Sequence, residues 1–166
     1  MNRTLNIARG GLYTALGVIF IYLSNISHTS KIYILGIASC IMPLSIITTN
    51  MKTSFFIYLA TSLLSLLIVG PKGSVAAYIV FFGLYGFIKY YVERLRNTIF
   101  EILLKLLCFN ISLGIVYLIY KVFIMLPLRV NIPIYAAIIM LQFVFIVFDY
   151  ALTLFISYIN RHLPRK

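Results

Sequence analysis

The chain has few charged residues, very few acids and no tryptophan. Of its 166 residues only 10% are charged and three are acidic, whereas 63% are hydrophobic. Soluble domains carry about a quarter charged residues, so this composition excludes a soluble globular protein. A bilayer core of roughly 30 Å needs about 20 apolar residues per spanning helix, so the length leaves room for about six spans and no soluble domain. We therefore expect one transmembrane domain over residues 1–166.

The scarcity of acids, histidines and cysteines also limits the chemistry that the chain can perform. The acids are Glu93, Glu101 and Asp149, and the two histidines, His28 and His162, are predicted at opposite faces of the membrane. No zinc-binding or acid–base constellation can be assembled from them, so we expect neither an enzyme nor a bound metal or cofactor. The two cysteines lie in apolar segments, where a thiol more often packs as a small hydrophobe than forms a disulfide.

The net charge of +11 comes from 14 basic residues that are scattered singly between apolar runs. Such scattering does not make the continuous basic face that nucleic-acid binding requires. Breaking the chain at charges and at glycine, proline and polar clusters predicts an all-α integral membrane protein, a bundle of about six transmembrane helices over about 10–26, 32–49, 53–70, 74–92, 98–123 and 133–160. Pro43 lies inside the second span, where it is expected to kink or break the helix. The sequence GPKGS at 70–74 predicts a hairpin turn.

The basic residues also predict the orientation of the chain, because arginine and lysine accumulate on the cytoplasmic side of membrane proteins. With the N-terminus inside, ten of the fourteen fall on that side, namely Arg3, Arg9, Lys52, Lys89, Arg94, Arg96, Lys105, Arg161, Arg165 and Lys166. Outside remain Lys31, Lys72, Lys121 and Arg129. Both termini are therefore predicted to be cytoplasmic, as an even number of spans requires, in a multi-pass protein of a bacterial cytoplasmic membrane.

Asp149 is the only acid in the last third of the chain and lies within the apolar run FVFIVFDYALTLF. It precedes the expected helix end near Ile159 by ten residues, or roughly 15 Å at 1.5 Å per residue, which places it near the membrane midplane. A charge there is costly, so such residues are usually paired, protonated or functional. In one interpretation Asp149 and Thr153 are interhelical hydrogen-bonding residues. In the other, Gln142 and Asp149 line a polar cavity for a solute or an ion.

The fifth span supplies possible partners for this acid. Glu101 and Lys105 have the i,i+4 spacing of a local ion pair. Lys105 could instead extend toward Asp149, and Asn110 lies deeper, where it could donate a hydrogen bond to the same carboxylate. The sequence does not choose between these arrangements.

A face of small residues marks the start of the first span. Ala8, Gly11 and Ala15 share one side of a helix in the stretch ARGGLYTA. Such spacing lets another helix approach closely, either inside the bundle or from a partner subunit. Gly83 and Gly86 are expected to allow the same approach in the fourth span.

Three segments carry a resemblance to a known family: ARGGLYTALG at 8–17, IMPL at 41–44, and FGLYGF at 82–87, which runs into the basic YYVERLR at 90–96. In these segments and in its layout the chain resembles the substrate-binding S component of energy-coupling-factor (ECF) vitamin transporters, and bacterial membrane proteins similar to it. The resemblance implies six helices with both termini inside and an outward-facing solute site. It also implies that the small-residue face contacts a transmembrane coupling subunit. The family motif there is alanine, three residues, alanine, and Gly11 replaces the first alanine.

The resemblance also implies a set of ligand-binding residues. The solute site would use Tyr135 and Gln142 in the outer half of helix six, Lys121 and Asn110 from helix five, and Asp149 at its floor. The leading hypothesis is a membrane-embedded subunit that binds a small, vitamin-like solute for uptake and is energised by separate ATPase subunits, because the chain has no ATP-binding motif. The alternative is a non-transporting membrane scaffold or assembly protein of the cell envelope. A third hypothesis is an ion-coupled carrier in which Asp149 binds a proton or a cation.

Overall fold

A computed structural model describes residues 3–27, 29–94, 98–124 and 134–162. In these ranges the chain is all-helical, with helices α1 Arg3–Ile26, α2 Lys31–Thr48, α3 Met51–Val69, α4 Gly73–Val92, α5 Thr98–Ile124 and α6 Ile134–His162. All six are long and apolar enough to cross a membrane, so the chain is a multi-pass membrane protein. The helix ends agree with the predicted spans to within two residues, except that α1 begins at Arg3.

The first three helices pack closely through small and hydroxyl-bearing residues. A Cβ atom added to Gly17 of α1 would lie 2.8 Å from Cγ2 of Thr61 on α3. Where α1 begins it meets the end of α2: the Tyr13 hydroxyl lies 3.0 Å from Oγ1 of Thr48, and Arg9 donates to the Thr48 carbonyl at 3.0 Å. The start of α1, the end of α2 and the start of α3 therefore share one end of the bundle.

Helix α2 is not broken at Pro43 but continues to Thr48. Membrane helices tolerate an internal proline where neighbouring helices compensate for the missing hydrogen bond. Here α4 packs directly against it, since a Cβ atom on Gly86 would lie 2.8 Å from Cβ of Met42 and 3.0 Å from Cδ of Pro43. Gly83 is as closely packed as Gly86, because a Cβ atom added to it would lie 2.7 Å from Cε2 of Tyr58. The close approach expected at Gly83 and Gly86 is therefore confirmed.

The two halves of helix α4 pack against different neighbouring helices. It follows the hairpin turn, which Gly70 forms with a φ of 83°, and it contains a π-helical turn over Tyr78–Phe82. In a regular helix Tyr78 and Tyr85, seven residues apart, would lie on one face, but the extra residue of a π turn rotates the following part by about 100°. Tyr78 accordingly packs in the core of α1–α3, whereas Tyr85 packs against α5 and α6.

Aromatic side chains fill the space between α4, α5 and α6. Phe109 of α5 and Phe145 of α6 stack with ring centroids 4.4 Å apart and an interplanar angle of 11°. Phe81 and Tyr85 of α4 pack edge-on against this pair, with centroid distances of 5.3 to 5.9 Å. This aromatic layer lies one helical turn from a set of charged residues on the same three helices.

Candidate functional site

Asp149 on α6 is the centre of that set of charges. Its Oδ1 accepts hydrogen bonds from Nζ of Lys89 and, at 2.7 Å, from the hydroxyl of Tyr85, both on α4. Its Oδ2 accepts a hydrogen bond from Nζ of Lys105 on α5 at 3.0 Å. The carboxylate is therefore paired, and it links three helices.

The two other acids complete the group. Glu93 lies 2.8 Å from Nζ of Lys89 and 3.5 Å from Nζ of Lys105, and Glu101 lies 2.7 Å from the same Lys105 nitrogen. All three acids of the sequence thus join two lysines in one network, which we call the charge cluster: Lys89, Glu93, Glu101, Lys105 and Asp149. It holds one more carboxylate than ammonium groups.

The members of the charge cluster differ in exposure. The side chain of Lys89 is 0% exposed and that of Lys105 is 6% exposed, whereas Glu93, Glu101 and Asp149 are 31%, 23% and 20% exposed. Lys89 also donates to the Thr153 hydroxyl at 2.8 Å, which satisfies a further ammonium proton. The accessible side of the charge cluster is therefore acidic, and its basic groups lie inside.

The charge cluster lies toward one end of the bundle. Lys89 is in the last turn of α4, Glu93 directly follows that helix, and Glu101 is in the first turn of α5. Lys105 lies about 10 Å along α5 from its start. Asp149 lies in the middle of α6 and contacts Lys89 in the last turn of α4 and Lys105 two turns into α5. Its expected position near the membrane midplane stays a prediction.

Lys105 makes both of the contacts that the sequence left as alternatives. It pairs with Glu101 one turn earlier on α5 and at the same time reaches Asp149 on α6. Asn110 does not take part: its amide is exposed and donates to the Leu106 carbonyl of its own helix at 2.9 Å.

The predicted ligand-binding residues thus fall in separate places. Asn110 lies on an exposed face of α5, and Gln142 is half-buried on α6, two turns before Asp149. The side chains of Lys121 and Tyr135 lie outside the described part of the chain. Of the three side chains that the structure describes, only that of Asp149 belongs to the charge cluster.

Three members of this site, Tyr85, Lys89 and Glu93, were not singled out from the sequence. They are spaced by four residues, which puts them in one row on a helix. Taken alone, Lys89 counts only as one more basic residue of the predicted cytoplasmic side. The signal that points to a site is the row of tyrosine, lysine and glutamate at the end of an apolar span.

The small-residue face of α1 points away from the bundle. Ala8, Gly11 and Ala15 are all exposed, and a Cβ atom added to Gly11 would meet nothing within 4 Å. These residues therefore do not serve packing among the described helices.

Comparisons with known proteins give no assignment, because no protein family, curated protein or solved structure matches the chain. The described residues also contain no group of three or more histidine, cysteine or acidic side chains placed to hold a metal ion.

Proposed function

We propose that the chain is a subunit of a bacterial cytoplasmic membrane that binds a small, vitamin-like solute for uptake, with both termini in the cytoplasm. Separate ATPase subunits would supply the energy. The observation that carries this proposal is the charge cluster, in which three carboxylates and two ammonium groups are held between α4, α5 and α6. With both termini in the cytoplasm the charge cluster lies toward the cytoplasmic end of the bundle, so it would hold the solute on the inner part of its path and is not the outward-facing site that the resemblance implies. Ionisable residues within membrane spans usually face a substrate or ion pathway, because their cost selects against a passive role.

A purely structural contact would need less charge than this. Replacing a buried ion pair by apolar residues is often neutral or stabilising, and hydroxyl or amide groups provide interhelical hydrogen bonds at a lower desolvation cost. The charge cluster instead collects every acid of the chain, leaves one carboxylate in excess and keeps the carboxylates partly exposed. That excess favours a solute that carries a positive charge.

The small-residue face of α1 supports contact with a second membrane subunit. Ala8, Gly11 and Ala15 leave a flat strip on which another helix can approach closely. By the resemblance to ECF S components, the partner would be the transmembrane coupling subunit that connects the solute-binding chain to the ATPases.

Ligand-dependent stability tests the proposal. The protein in detergent would be heated with positively charged, neutral and negatively charged water-soluble vitamins and their precursors. We expect a positively charged compound to raise the unfolding midpoint, since a ligand at a hundred times its Kd stabilises the folded state by about 2.7 kcal/mol. Glu101→Gln should weaken the effect, and Lys72→Gln, at the other end of the bundle, should leave it unchanged. A wild-type protein that no compound stabilises, or equal stabilisation of wild type and Glu101→Gln, would contradict the proposal.

The internal pairing of the charge cluster favours a scaffold as the second candidate. Each of its five charged side chains already has a partner of opposite charge within the cluster, so the bundle is complete without a ligand. A scaffold would form its complex equally with and without solute. In that case Gly11→Leu, which fills the exposed strip of α1, would abolish the complex while no compound changes the thermal stability of the wild-type chain.

A further inference from the structure

A groove lies between the start of α3 and the end of α4, on the outer surface of the bundle. Its volume is about 550 Å³. The lining is aromatic and aliphatic apart from a single basic residue, and it includes Lys52, Phe55, Phe56, Leu84, Phe87 and Tyr91. Phe55, Phe56 and Tyr91 are exposed, so the groove opens sideways into the membrane.

The wall of the groove is fixed by aromatic packing. Phe87 of α4 meets Phe55 and Tyr58 of α3 edge-on, with ring centroids 6.3 Å and 6.2 Å apart. Tyr58 is itself held by a hydrogen bond of 2.9 Å to the Ile79 carbonyl. The shape of the groove is therefore set by packed side chains of α3 and α4.

Lys52 brings an uncompensated positive charge to this groove. The three acids of the sequence are engaged with Lys89 and Lys105, so no acidic side chain remains to pair with Lys52. Lys52 also lies in the first turn of α3, where the helix dipole favours an anion. Asn50 at the N-cap makes no side-chain capping hydrogen bond, which leaves first-turn amides open to an acceptor.

We propose that this groove binds an anionic phospholipid. Its phosphate group would contact Lys52 and the first turn of α3, and one acyl chain would follow Phe56 and Leu84 along the groove. Basic pockets between membrane helices are suited to anionic headgroups, and a lysine near the membrane surface contributes about 1 kcal/mol to such binding. Arg9 and Arg94 lie at the same end of the bundle. The acids of the charge cluster are at that end too, but none of them lines the groove, where Lys52 is the charged residue. This site does not depend on solute transport.

A single introduced tryptophan tests the site, because the chain has none of its own. The groove reporter is Phe56→Trp, at a position that is 69% exposed, and the reference reporter is Leu67→Trp, 79% exposed near the other end of α3. Each variant of the full chain would be placed in bilayers that contain acyl-brominated phosphatidylglycerol or acyl-brominated phosphatidylcholine. Bromine quenches the fluorescence of a nearby tryptophan, so the extent of quenching reports how often each lipid lies next to the introduced tryptophan.

We expect a preference of about fivefold for phosphatidylglycerol at the groove reporter and a ratio near one at the reference reporter. Lys52→Gln should reduce the groove preference to near one, Lys52→Arg should keep it, and Lys72→Gln at the opposite end should not change it. A groove preference that survives Lys52→Gln, or an equal preference at both reporters, would overturn the proposal. Because both reporter positions are exposed, neither substitution alters the core.

Discussion

Replacing Asp149 measures how strongly the charge cluster holds α6 to the bundle. In Asp149→Asn the fully buried Lys89 loses one carboxylate but keeps Glu93 and Thr153, each at 2.8 Å. Removing one partner of a buried ion pair typically costs about 3–5 kcal/mol. Asp149 is 20% exposed and Lys89 retains a second acid, so we expect a smaller loss of about 2–3 kcal/mol in the free energy of unfolding.

A double-mutant cycle with Lys89→Met isolates this pair. Once the buried ammonium is gone, Asp149→Asn should lower the free energy of unfolding by less than it does in the wild-type background. The loss in the double mutant should be smaller than the sum of the two single losses by about 1–3 kcal/mol. The assay is reversible unfolding in mixed detergent micelles, followed by far-ultraviolet circular dichroism. Lys72→Met serves as the matched control for loss of a lysine and should change stability by less than about 0.5 kcal/mol. Additive effects of the two cluster substitutions would refute the view that this pair binds α6 to α4.

Three further changes probe the same architecture by the same unfolding assay. Gly86→Ala should cost about 1–3 kcal/mol because its Cβ would overlap α2, whereas Gly114→Ala, with nothing within 4 Å, should be neutral or stabilise by up to about 1 kcal/mol. Equal effects of the two would contradict the close approach of α2 and α4. Deleting Val80 should abolish the π turn and rotate the end of α4, so that Asp149→Asn causes no additional loss in that background. Glu101→Gln should cost less than about 1 kcal/mol, because the acid is partly exposed and its lysine retains a second carboxylate; a cost equal to that of Asp149→Asn would be inconsistent with this ranking.

The number and limits of the helices could be predicted because they depend on local sequence. A membrane span needs about 20 apolar residues, and the turn at Gly70 follows from the conformational freedom of glycine. Pro43 was the exception: its effect on α2 depends on the packing of α4 beside it, which the sequence of α2 does not contain.

The charge cluster could be predicted only in part, for a similar reason. Asp149 is conspicuous as an acid in an apolar run, and Glu101 with Lys105 has recognisable local spacing. Their joining with Lys89 depends on which helices are neighbours and on the π turn of α4. Without that turn, Tyr78 and Tyr85 would face the same side, and no periodic pattern in the sequence marks the change.

The arrangement of contacts gives α4 a central position in the proposed function. Lys89 cannot exchange its partners for water, so a change at the carboxylates of the charge cluster must be accommodated within α4 and its neighbours. Three residues earlier, Gly86 packs against Pro43 of α2, and the end of α2 contacts Tyr13 of α1, on the helix that carries the exposed small residues. A packed route therefore joins the acidic site to the proposed partner face. We therefore expect solute binding to alter the affinity for a partner subunit, and Gly86→Ala to change that effect although Gly86 lies on neither surface.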